Sequence, residues 1–279
     1  MIIQMYKESK LANAPDEIAR CINKYTPHTA FLSSEINLSN IDILHFHNKY
    51  KKVNYDKLLM QFHSEPEKAR LDFPGQKIVI TQYHATLSQY DRYYRVRNIV
   101  DFEREIYNPK QSDKIRICYS PSTKSTTGWN NKGYHKTKEI LERLKEKYKS
   151  EIDVHVLMDM PYEEVLDIKS KSSIVIDECV TKSYHKNTLE GLAMGKVTIC
   201  SIGEDVQELI KEEAGDYMPV ENVWIGQLEE FLENMIVTET VESLYEYGLK
   251  NREWMEDHWH PRDVLKKYLQ IYEELYNAQ

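Results

Sequence analysis

The stretch IVIDECVTKSYHKNTLEGLAMGKVTIC, Ile174–Cys200, decides how the second half of this chain is read. Ile174-Val175-Ile176-Asp177 and Val197-Thr198-Ile199-Cys200 are short, mostly β-branched runs of strand length. Between them, a polar loop over 178–186 leads into a helix from Asn187 to Met194, with Gly195 suited to its C-terminal cap. A strand, a helix and a strand in this order read as one crossover of a parallel sheet.

The pattern repeats outward. Before it, Ile115-Arg116-Ile117-Cys118-Tyr119 reads as a strand running into a long polar loop that ends at Lys132-Gly133. Ile140, Leu141, Leu144 and Tyr148 then mark one face of a helix. A strand over Ile152–Met158 follows, and Pro161 is placed as the first helical residue ahead of Glu163 and Glu164. Beyond Cys200, a helix is expected over Glu204–Lys211. A tail helix is expected to bury Val264, Leu265, Tyr268, Ile271, Tyr272 and Leu275, with Trp254 and Trp259 before it. That tail reads as a packing helix or, more sharply, as one that binds a partner.

The first half reads as short strands and loops. Ile2–Tyr6 is an opening strand, and Pro15 starts a helix through Ile18 and Ile22. Three apolar runs, over 41–46, 58–62 and 77–83, each lead to a histidine: His47, His63 and His84. A fourth run spans Val96–Val100. In a parallel sheet, polar chemistry collects beyond the carboxyl ends of the strands, so the three histidines are expected along one edge. The polar, proline-containing segment Asn108–Asp113 marks a boundary. Domains are therefore expected over 1–110 and 111–258, with a C-terminal helix over 259–279 packing back on the first.

Composition bounds the classes. With 279 residues, 41% hydrophobic and 29% charged, the chain can bury a core and is not a disordered or collagen-like sequence. Its net charge of −8 offers no general attraction for nucleic acid or anionic lipid. Cys21, Cys118, Cys179 and Cys200 have no metal-ligand spacing, and Cys118 and Cys200 read as small buried hydrophobes. Lys7 and Lys10 interrupt any apolar leader, and no apolar run is long enough to span a bilayer. A cytoplasmic location is expected, with peripheral contact at the inner membrane face left open.

The chemistry gathers in 114–200. Tyr184, His185, Asn187 and Thr188 stand at a helix start, where unpaired amides and the helix dipole favour an anion. Glu190 is placed to accept from a sugar diol and to complete a capping box with Asn187, two roles that can coexist. Lys124 and Lys132 could compensate a diphosphate, and Gly133 allows close backbone approach. No GxGxxG or Walker A pattern is present, which disfavours nicotinamide and P-loop sites.

Lys132-Gly133, Met160–Glu164 and Leu189–Lys196, taken in order, resemble the nucleotide-sugar half of GT-B glycosyltransferases, especially the retaining family 4. Arg97–Asp101 resembles that family's link segment. Asn13-Ala14-Pro15, His45–Asn48 and Gln61–Ser64 are similar to short bacterial or phage members. The resemblance implies an α/β chain of two Rossmann-like domains facing a central cleft, with the acceptor mainly on the first and the donor on the second. It implies a retaining transferase of class EC 2.4, moving sugar from a nucleotide diphosphate sugar to a hydroxyl, with no cofactor and no essential metal. Glu190 matches the ribose-binding glutamate and Lys132 the phosphate-binding lysine. Thr127 stands where an arginine is expected, leaving Lys124 as a substitute charge, and Lys182 stands where the family has its first glutamate. His63 or His84 would orient the acceptor or stabilise departing charge. The expected acceptor is a glycan or lipid-linked sugar. The alternatives are a modified base in phage-type DNA, and a non-catalytic sugar-nucleotide or glycan-binding module.

Overall fold

The computed structural model describes residues 1–7, 13–63 and 72–278. The readings that touch Lys10 and Ser64 lie outside the described residues. The chain divides into two compact units, one of Met1–Asp101 with His260–Gln279 and one of Phe102–Trp259. Each is a parallel sheet with helices, so the two Rossmann-like domains expected for a GT-B fold are present.

The first unit contains β1 (Ile2–Tyr6), α1 (Ala14–Tyr25), β2 (Thr29–Ser33), β3 (Ile43–His47), β4 (Leu58–Phe62), β5 (Gln76–Ile80) and β6 (Tyr94–Val96). The strands are all parallel, in the order β2-β1-β3-β4-β5-β6. Every residue of β3 and β4 is buried, which is why both read as largely apolar runs despite His45, His47 and Gln61. The fourth run is corrected: β6 pairs through Tyr94–Val96 with Ile78–Ile80, and residues 97–100 lie past the end of its neighbour. The edge strand β2 has a mixed burial pattern and left no readable period. The tail helix, labelled α8 below, closes this unit and buries all six expected apolar residues.

The second unit contains β7 (Ile115–Tyr119), α2 (Tyr134–Tyr148), β8 (Ile152–Val156), α3 (Tyr162–Ser170), β9 (Ile174–Ile176), α4 (Lys186–Ala193), β10 (Val197–Cys200), α5 (Glu204–Ala214), β11 (Glu221–Asn222), α6 (Leu228–Thr238) and α7 (Val241–His258). The last helix of the chain, α8, spans Pro261–Asn277. The sheet order is β11-β10-β9-β7-β8, again all parallel. From β7 the chain steps to β8 on one side and then to β9 on the other, so the strand order reverses at β7 and β9. Open α/β sheets bind their ligands at such a switch, outside the carboxyl ends.

Pro161 precedes α3 instead of opening it, because its ψ of 138° is extended and helical geometry starts at Tyr162. Helices α6 and α7 were not foreseen. The capping box of α7 pairs Thr240 with Ser243, without the Glu or Gln that makes the motif recognisable.

Gly195 takes the left-handed conformation at φ 63° just past α4, the geometry expected of a C-terminal cap. Its carbonyl oxygen would lie 2.0 Å from a Cβ added at Gly248, so α7 crosses this turn backbone against backbone. Alanine normally stabilises a helix interior relative to glycine by about 1 kcal/mol. Here the sign reverses: Gly248→Ala should destabilise by about 1–3 kcal/mol, read as a lower urea midpoint. A variant as stable as the parent would refute this close packing.

Candidate functional site

At the carboxyl end of β9 the chain continues directly into Asp177 and Glu178, which are both buried. Asp177 Oδ2 accepts from the His185 amide at 2.8 Å and from the Thr188 hydroxyl at 2.6 Å, tying the head of α4 to the strand. Glu178 accepts from the amides of Val180 and Thr181 and from the Thr181 hydroxyl. Both carboxylates are thus occupied by the loop they support.

Lys132 reaches this head from the loop after β7 and is only 6% exposed. Its ammonium donates to His185 Nε2 at 2.6 Å and sits 4.3 Å from the centre of the Trp129 ring. His185 Nδ1 stands 3.3 Å from Asp177 Oδ2, so lysine, imidazole and carboxylate form one line. Burial pushes the Lys132 ammonium down, with Glu178 and Asp177 acting against it. Burial alone would raise Asp177, but His185, Thr188 and Lys132 hold it down at about 2. Asn187 anchors the same head from both sides, donating to the Ile176 carbonyl at 2.9 Å and accepting from Ser120 at 2.8 Å. Gly133 has φ 67° and precedes α2, and Lys124 lies over Tyr134, the first residue of that helix, at 5.5 Å.

Glu190 belongs to a second network. Its Oε2 pairs with the buried Lys169, its Oε1 accepts from the Tyr162 hydroxyl at 2.5 Å, and Lys186 Nζ stands 3.7 Å from Oε1. Lys186 also donates to the Tyr162 hydroxyl at 2.9 Å. Burial would raise the Glu190 carboxyl, yet Lys169 and Lys186 outweigh it and keep the group below the usual range. The capping-box expectation is corrected: α4 starts at Lys186 with His185 before it and no side-chain cap. A carboxylate held between two lysines and a phenol is not available to the Asn187 amide.

The remaining candidates lie elsewhere. Lys182 is exposed, with φ 59° and its ammonium 5.2 Å from the Trp224 ring centre. Tyr184 is fully buried, edge-on to Trp259 at 5.9 Å. His63 and His84 belong to the first unit. His47 lies inside β3, not in a polar segment after it, and its Nδ1 is 2.9 Å from His63 Nε2. His45 stacks on His47 with ring centres 4.2 Å apart and meets the Tyr272 hydroxyl at 2.9 Å. Burial lowers all three, His45 to about 3 and His63 to about 4, so they are neutral imidazoles at neutral pH. His84 sits in a short helical turn after β5, beside Tyr83.

Sequence reasoning missed Asp177, Glu178, Trp129, Tyr162 and Lys169 as site components. Asp177-Glu178 had a signal, since it directly follows a buried parallel strand at the edge where ligands bind. Lys169 had one too, three residues after Leu166 on the buried face of α3. Among the described residues, no group of three or more His, Cys, Asp or Glu is placed to hold a metal ion, and no helix is long and apolar enough to cross a membrane. All four cysteines are buried and free.

The Asp177 carboxyl titrates lower in the folded chain than the ordinary value near 3.9. Its contribution, about 2 kcal/mol, is therefore complete above pH 4 and lost as pH falls from about 4 to about 2. In Asp177→Asn, urea midpoints should fall less steeply over that window than in the parent. Parallel acid limbs would show that this carboxylate is not held as described.

No family model matches the chain, and no curated protein matches it. Solved structures do. A glycosyltransferase from Rickettsia africae ESF-5 superposes with a TM-score of 0.61 at 14% identity, covering 100% of this chain and 99% of that one. Sucrose-phosphate synthase from Thermosynechococcus elongatus gives 0.59 at 9% identity, covering 100% of each. HepE from Anabaena, in complex with UDP and glucose, gives 0.57 at 11%, covering 99% of each. At such identities the likeness establishes architecture alone. The chain has the GT-B fold.

Proposed function

We propose that this chain is a glycosyltransferase that moves a sugar from a nucleoside diphosphate sugar to a hydroxyl. The observation that carries this reading is Lys132, a buried ammonium held by His185 at the head of α4, where the strand order reverses. A diphosphate there would meet that ammonium, the N-terminal amides of α4 and the exposed Lys124. HepE was solved with UDP and glucose, which makes UDP-glucose the first donor to test.

The chemistry needs little else from the protein. The bond between the anomeric carbon and the diphosphate oxygen breaks, and its electron pair leaves on the phosphate. The acceptor oxygen bonds to the anomeric carbon, and its proton passes to the departing phosphate oxygen. The products are the glycoside and a nucleoside diphosphate. When departure and attack share one face, configuration is retained and no side-chain nucleophile is required. Lys132 stabilises the charge that grows on the leaving group, so its effect belongs to kcat more than to KM. In this reading the second unit takes the donor and the first takes the acceptor, a glycan or lipid-linked sugar, with His63 or His84 orienting it. Glu190 takes the ribose diol by exchanging the Tyr162 hydroxyl for it.

One observation favours a second reading. Lys182 occupies the position of the family's first glutamate and is engaged with Trp224, which fits a module that binds sugar nucleotides without turning them over.

The test is release of nucleoside diphosphate from a panel of donors, with calorimetric binding measured alongside. Turnover is expected, with Lys132→Met lowering kcat by about 100-fold, the scale of losing one donor to a developing oxyanion. Tyr162→Phe should tighten donor binding a few-fold, since Glu190 then has no phenol to give up. Binding without release would select the second reading, and neither binding nor release would refute both.

A further inference from the structure

We propose that the second unit carries a site for a compact monovalent anion of halide size at the amino-terminal edge of its sheet, opposite the edge that holds Lys132. Three segments that lead into strands converge there: Ser112 before β7, Ser172 and Ser173 before β9, and Gly195-Lys196 before β10. With Lys110 and Tyr245 they line a small open recess.

Lys196 is the reason for an anion. Its side chain is 2% exposed, and its ammonium makes one hydrogen bond, to the Lys110 carbonyl at 2.7 Å. An ammonium has three donors, and desolvating one without a counter-charge is costly by several kcal/mol. Among the described residues Lys196 has no carboxylate partner. Burial, and then the like charges of Lys110 and Arg116, push it down to about 7, so an anion bound beside it would favour the charged form. Glu242 of α7 is exposed and accepts from Gln111 instead.

The surroundings suit a bound anion. Ser112 is 7% exposed, and its hydroxyl has no hydrogen-bond partner among the described residues, so its proton is available to the recess. The hydroxyls of Ser172 and Ser173 are already committed, to the carbonyls of Ile168 and Lys114. The Lys196 backbone is fixed by its amide on the Gly191 carbonyl and by Asn251 on its own carbonyl at 2.8 Å. A buried lysine with uncommitted donors and one spare hydroxyl, both lining a small recess, fits a compact anion such as a halide.

The test is thermal unfolding of the full chain in potassium chloride, potassium bromide and potassium gluconate at equal ionic strength, without any sugar nucleotide. Its outcome is therefore independent of the proposed transferase activity. A saturable rise in Tm is expected with chloride and bromide but not with gluconate. Ser112→Ala should shift the half-saturating halide concentration upward by about tenfold, the loss of one hydrogen bond to a charge. Lys196→Met should abolish the halide response; should it fail to fold, Ser112→Ala and chloride-35 line broadening on the parent decide instead. Equal Tm in chloride and gluconate, or an unshifted Ser112→Ala midpoint, would overturn the site.

Discussion

A parallel sheet covered on both faces has no room for charge among its strands, so ionisable side chains can stand only where the strands begin or end. In the second unit β9 and β10 follow this constraint, while Arg116 of β7 and Asp153 and His155 of the edge strand β8 stay only partly buried. The residues of β9 and β10 are all buried, and the charged groups gather directly beyond them. Asp177, Glu178, Lys132 and His185 occupy the carboxyl edge, and Lys196 occupies the amino edge. The strand order reverses at β7 and β9, the place at whose carboxyl edge open α/β sheets bind ligands.

The charges at these edges are balanced differently, and the balance separates scaffold from chemistry. Asp177 and Glu178 spend their oxygens on amides and hydroxyls of one loop, which positions the head of α4. Glu190 and Lys169 offset each other's burial, and removing Glu190 would strand the Lys169 charge at a cost of about 3–5 kcal/mol. Lys132 is different. Its partner is an imidazole, which takes a hydrogen bond without neutralising the charge.

The first unit solves a related problem with neutral groups. His45, His47 and His63 lie side by side, with Tyr272 and Tyr268 of α8 completing the polar layer through His45 and Gln61. Burial keeps these imidazoles uncharged, so each can serve as donor and acceptor without the desolvation penalty of an ion. Residues from opposite ends of the chain share this layer. The sequence pattern placed His47, His63 and His84 along one edge, whereas the layer joins His47 and His63 with His45 from inside β3.

Local pattern was enough for the alternation of strand and helix, the buried stripes of α2 and α8, the cap at Gly195 and the concentration of polar residues around 184–190. Each depends on neighbours within a turn or a strand, where period and cap chemistry operate. It was not enough for β2, the short β6, or α6 and α7, whose burial is partial or whose caps lack a recognisable motif. Sequence order alone placed Lys132 near the head of α4 only by resemblance, and it left Glu190 with two roles. The tertiary structure removes the capping role, because a buried carboxylate goes to the partner that best offsets its desolvation. For Glu190 that partner is Lys169, on a different helix, and no spacing along the chain encodes which helix will lie beside it.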